Sequence, residues 1–211
     1  WVTNLADDTV SVLRASDGAH VMILNAGDGP DEIAFDGANM WVTNRWDDTV
    51  SVLRASDGAH VMTPTVAADP MAIAFDGARM WVPSFFGTVS VLRASDGAHV
   101  MTPTVGIAPG AIAFDGANMW VTRGVGTVSV LRASDGAHVM TPTVGFPSRG
   151  IAFDGANMWV TNLVDDTVSV LQASNGAHVV TATVGTRPRA IAFDGAHMWV
   201  TNLDSHTVSK R

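Results

Sequence analysis

The 211-residue chain has no cysteine, no tyrosine and a single lysine, and only 15% of its residues are charged. Without cysteine there is neither a disulfide nor a thiolate metal site. The shortage of cations, with a net charge of −8, excludes a general binder of nucleic acid or anionic membrane, because both need clustered positive groups. No run of 18 apolar residues occurs, so no membrane-spanning helix is expected. Gly and Pro interrupt the chain too often for a ten-residue helix, which excludes helical repeats. The chain opens at Trp1 with no methionine and no signal-like segment, so we expect a processed, excised or engineered piece. Apolar residues make up 47%, which favours a folded domain over disorder.

What the sequence does have is one hairpin, written again and again. Residues 151–162 read I-A-F-D-G-A-N-M-W-V-T-N, and the block recurs at Ile33, Ile73, Ile112 and Ile191, with a truncated copy at Trp1. The tryptophans at 1, 41, 81, 120, 159 and 199 set a period of 39 or 40 residues, the mark of a repeat architecture. Each unit holds four short runs rich in Val, Ile, Thr, Phe and Trp, such as Ile33-Ala34-Phe35, Met40-Trp41-Val42-Thr43, Thr49-Val50-Ser51-Val52-Leu53 and His60-Val61-Met62-Thr63-Pro64-Thr65-Val66. Asp57-Gly58 between the third and fourth runs suggests a two-residue type I′ turn, and Asn175 in the last copy suits the same turn. Pro64, Pro103 and Pro142 remove a ladder donor, which places the fourth run at a sheet edge.

Four antiparallel strands per unit predict an all-β fold, a β-propeller of four-stranded blades, over residues 1–211 as a single domain. The Trp rings are expected to wedge between blades. First and fourth runs occur five times, second and third six times. The count favours five blades, with the Ile191 strand and the N-terminal His20 strand sharing the last one. The alternative is six sectors with incomplete terminal blades. In the five-blade reading one hairpin is spare, and it offers an edge for homo-oligomerisation.

W-V-T-N followed by D-D-T-V-S-V-L and then V-G-x-x-P resembles the YVTN family of β-propeller repeats, with Trp in place of the leading Tyr. The resemblance runs the length of the chain. It implies a prokaryotic protein at an extracellular or cell-surface address, and it carries no single activity and no catalytic residues. The copies are alike enough to imply recent amplification or construction.

Variation among the copies concentrates in the loop between second and third runs and in the link between units. Both sets are expected on one face, the constant turns on the other. Residues at the individualised face, the expected channel mouth, are the candidates for ligand binding: Asp31, Glu32, Arg149, Arg187 and Arg189 for polar recognition, with Trp46, Phe85 and Phe146 as exposed aromatics. A small molecule, a glycan or a protein is the expected partner there. The aspartates Asp36, Asp76, Asp115, Asp154 and Asp194 are read as turn residues rather than a metal ring, and the histidines at 20, 60, 99, 138 and 178 as solvated turn flanks. No cofactor or metal is expected. The expected function is a non-catalytic binding scaffold, with lectin-like binding as one form. The alternative is a propeller lyase or hydrolase on the same face, for which His206 near Asp204 is the one candidate base.

Overall fold

The computed structural model describes residues 1–211 and contains strands and turns but no helix. The 22 strands form six antiparallel sheets, and the chain divides into two compact units, Trp1–Thr104 and Val105–Arg211. The fold class is that of a β-propeller with six blades.

The first unit holds three sheets. The first comprises Val2–Asn4, Thr9–Leu13 and His20–Asn25; the second Pro30–Phe35, Asn39–Asn44, Thr49–Arg54 and His60–Met62; the third Ala74–Phe75, Arg79–Pro83, Val89–Arg93 and His99–Met101. The second unit holds the remaining three. The fourth sheet comprises Pro109–Phe114, Asn118–Arg123, Thr127–Arg132 and His138–Met140; the fifth Ser148–Phe153, Asn157–Asn162, Thr167–Gln172 and His178–Thr183; the sixth Pro188–Phe193, Met198–Asn202 and Thr207–Lys210.

The expectation of five blades is therefore corrected to six. Thr9–Leu13 pairs with Val2–Asn4 on one side and His20–Asn25 on the other, so the N-terminal hairpin builds its own sheet. Met198–Asn202 and Thr207–Lys210 extend Pro188–Phe193 in the same way. Both hairpins are used, because each is joined to its neighbours by tight local turns that close at little entropic cost. The first sheet lacks an inner strand and the last an outer one.

Packing follows from the two-residue alternation of side chains. Cross-strand pairing sets Trp41 opposite Val52 and Thr43 opposite Val50 on one face, with Val42 and Leu53 on the other. In the first unit Trp41, Val50 and Val52 pack on Ile73, Met80, Val82 and Leu92 of the following sheet. Val10, flanked by Trp1 and Leu24, meets Ile33, Val42 and Leu53. In the second unit Trp120, Val128 and Val130 pack on Ile151, Met158, Val160 and Leu171. Within each unit a sheet thus lays its Trp face on the aliphatic face of the next.

Two local expectations change. The Asp-Gly turns are not type I′, because only the glycine takes a positive φ, 75° at Gly58. The aspartate works through its side chain instead: Asp57 Oδ1 accepts from Ala59 N at 3.0 Å while Gly58 N donates to Arg54 O. Asn175 does the same with its amide oxygen, which is why Asn and Asp interchange. The prolines do fall at the outer edge of the sheet, two residues past the end of the outermost strand, and that strand is short where they occur. His60–Met62, His99–Met101 and His138–Met140 each stop at three residues, whereas His20–Asn25 and His178–Thr183, which lack the proline, run to six.

Candidate functional site

In the second to sixth sheets the loop after the Trp strand is hydrogen-bonded to the link that enters the sheet. Arg45 N donates to Gly29 O, Phe85 N to Asp69 O, Gly124 N to Ala108 O, Leu163 N to Pro147 O and Leu203 N to Arg187 O. The two variable segments therefore share one end of each sheet, and the constant turns occupy the other.

The Asp-Asp-Thr runs turn out to be ties between these segments. Asp47 Oδ2 accepts from Asp28 N at 2.7 Å, and Asp165 Oδ2 from Phe146 N at 2.8 Å, each within one sheet. The second aspartate reaches the link of the next sheet: Asp8 to Gly29 N, Asp48 to Asp69 N, Asp166 to Arg187 N. All three take left-handed backbone conformations with φ of 55°, which Asp tolerates better than most residues. The shorter loops Phe85-Phe86-Gly87 and Gly124-Val125-Gly126 carry no such aspartate.

In the first unit, Glu32 is exposed and Asp31 partly so. Asp31 O accepts from Thr3 Oγ1 at 2.7 Å. Arg45 sits among acids of this unit. Its Nε lies 2.5 Å from Asp69 Oδ1. That hydrogen bond, followed by the charges of Asp69 and Asp31, holds the guanidinium above its ordinary pKa. Asp28 is raised, first by lost solvation and then by the nearby Asp8 and Asp47 carboxylates. Trp46 is exposed, yet its ring rests on the link, since a Cβ on Gly29 would come within 2.7 Å of Trp46 Cδ2. Phe85 and Phe86 stand edge to face with centroids 5.7 Å apart.

In the second unit, Arg149 and Arg189 occupy equivalent positions on the inner strands of the fifth and sixth sheets. Their backbones are fixed, because Thr122 Oγ1 donates to Arg149 O at 2.6 Å and Thr161 Oγ1 to Arg189 O at 3.0 Å. Gly150 lets these strands come close, since a Cβ there would lie 2.5 Å from Arg189 O. Both guanidinium groups are exposed and make no ion pair or hydrogen bond. Arg187 differs: it is turned by a φ of 54° and lies 3.4 Å from Asp204 Oδ1. Phe146 is exposed on the adjoining link. His206 Nδ1 is 3.1 Å from Asp204 O rather than from a carboxylate, which gives it no orienting acid.

The constant-turn aspartates have a role that the sequence reading missed in part. Asp36 Oδ1 accepts from Ala38 N and Asn39 N, as a turn residue should, and its Oδ2 accepts from Trp41 Nε1 at 2.7 Å. The same Asp–Trp bond recurs at Trp81, Trp120, Trp159 and Trp199. The fixed five-residue spacing from Asp to Trp was the available signal. Burial pushes Asp36 and Asp154 up, but the hydrogen bonds they accept outweigh it and hold both below the ordinary value. Asp194 falls to about 2, chiefly through the bond from Trp199. Carboxylates committed in this way are not metal ligands in waiting. An open cleft of about 500 Å³ beside these turns is lined by Asp36, Asn39, Phe75 and Arg93, but Arg93 is paired with Asp96 at 2.7 Å and Asp36 with Trp41.

No family model matches the chain, and no curated protein matches it. Solved structures do. A functionally unknown protein from Desulfotomaculum acetoxidans aligns with a TM-score of 0.84 at 16% identity, over 99% of this chain and 77% of that one. Hydrazine synthase of Kuenenia stuttgartiensis aligns at 0.67 with 14% identity, over 99% and 90%. The computationally designed Ika8 protein aligns at 0.80 with 17% identity, over 97% and 65%. At these identities the likeness is one of fold alone.

Proposed function

We propose that this chain is a non-catalytic propeller-repeat scaffold that binds a carboxylate-bearing sugar on its variable-loop face, with Arg149 and Arg189 as the recognising pair. The observation behind this reading is the state of those two side chains. They project from equivalent points of neighbouring strands whose backbones are pinned, and neither has an acid to neutralise it. A guanidinium fork suits a carboxylate through two parallel hydrogen bonds, and Phe146 alongside supplies an apolar face for a sugar ring. Arg187 is partly spent on Asp204 and contributes orientation. In the first unit Trp46, Phe85, Asp31 and Glu32 lie at the variable ends of their own sheets and give those loops a different character. The W-V-T-N pattern supports placing the chain with YVTN repeat proteins and at an extracellular or cell-surface address.

The test is a glycan array carrying neutral, sialylated and uronic-acid glycans. Binding to the acidic set is expected, falling by at least about tenfold in Arg149→Ala/Arg189→Ala. Arg54→Ala, on the constant-turn side, should leave the signal unchanged. No acidic hit, or a hit indifferent to the arginine pair, overturns the reading.

A further inference from the structure

The repeating contact is incomplete at both ends of the chain. In the sixth sheet the Trp face is open: Trp199 is 39% exposed and Val208 58%, where Trp41, Trp81 and Trp120, and Val50, Val89, Val128 and Val168, are all at 0%. In the first sheet the opposite, aliphatic face is open: Val2 is 48% exposed and Leu13 41%, where Val82 and Leu92 are at 1%. Cross-strand pairing puts Ile23 in line with Ser11 and Val2 on that same face, and Ile23 is exposed as well.

These are the two halves of one contact. Within each unit, a Trp with its Val partners always meets a Val and a Leu of the following sheet. The sixth sheet offers the donor half and the first sheet the acceptor half. Their shapes suit each other because they are copies of surfaces that already pack together. We infer that the chain self-associates head to tail, the Trp199 face of one copy seating on the Val2/Leu13 face of a second copy. The interface is heterologous, since different surfaces meet, so association continues until a ring closes or a filament grows. Lys210 lies 5.3 Å from the Trp199 ring centroid in the single chain and caps the exposed indole until the second copy arrives. The unpaired edges of the first and last sheets flank the contact and favour association further.

A heterologous contact has a signature that a symmetric one lacks. Val2→Glu/Leu13→Glu spoils only the acceptor face, and Val208→Glu only the donor face. Val208 is chosen over Trp199 because the Trp199 indole also holds the Asp194 turn. By light scattering the wild-type chain should exceed the single-chain mass, increasingly so with concentration. Each variant alone should run as a single chain. An equimolar mixture of the two should form a species of twice that mass and stop there, because each partner has one sound face. Circular dichroism checks that the variants are folded, and the wild-type measurement stands even where a variant is not. A wild-type mass of one chain at every concentration overturns the inference, as does a variant that still pairs with itself or a mixture that fails to pair.

Discussion

At the scale of single residues, most of what repeats in this chain is polar and structural. The WVTN asparagine is an example. Asn162 Nδ2 donates to Thr167 Oγ1 and Ser169 Oγ at 2.9 Å each, stitching two neighbouring strands together from a fully buried position. The link glycine faces it: a Cβ on Gly145 would lie 2.5 Å from Asn162 Cγ, and one on Gly27 2.6 Å from Asn44 Cγ. The third sheet carries Ala67 and Ser84 at the same two positions, an added methyl opposite a shortened side chain. Gly145→Ala should therefore destabilise by about 1–3 kcal/mol through overpacking. Adding Asn162→Ser should make the double variant cheaper than the sum of the singles by at least about 0.5 kcal/mol. Chemical denaturation of the four proteins in the cycle measures this. Additive losses would mean that the two sites do not share the space.

At the scale of strands and sheets, the tryptophans grade according to what covers them. Trp120 is fully buried, Trp159 half-buried and Trp199 exposed. The difference at Trp159 comes from the last sheet. Leu53, Leu92, Leu131 and Leu171 recur at one position of the third strand, and Arg211 stands there in the final copy. Trp120→Ala should cost about 3–5 kcal/mol, Trp159→Ala less, and Trp199→Ala least, read from denaturant midpoints by circular dichroism. Equal losses at all three would contradict the stacking described here. This grading was not legible in the sequence, where the WVTN copies look alike, because burial depends on the sheet that follows. Strand order and the edge position of Pro64, Pro103 and Pro142 were legible, since alternation and a missing donor are local properties. The Asp-Gly turn type was misjudged for the opposite reason. The dipeptide signal is real, but the aspartate side chain satisfied the backbone by another route.

For the whole molecule, the division of labour is between a constant end and a varied end of every sheet. Sequence comparison among the copies found the varied segments. It could not separate their structural from their free members, because an aspartate that ties two links together looks the same as one awaiting a ligand. Asp8, Asp47, Asp48, Asp165 and Asp166 are taken by backbone amides, and Arg45 by Asp69. Arg149 and Arg189 make no such commitment, and Phe146 stands exposed on the adjoining link. The blade count likewise needed three dimensions, because counting strand types cannot decide whether two half-complete ends share one sheet. Hydrogen exchange, followed by mass spectrometry with and without an oligosaccharide of uronic acids, tests the central claim most directly. The account predicts added protection in the links at residues 145–150 and 185–190, and none in the constant turns at residues 36–39 and 93–97. Protection of the constant turns, with the links unchanged, would contradict it.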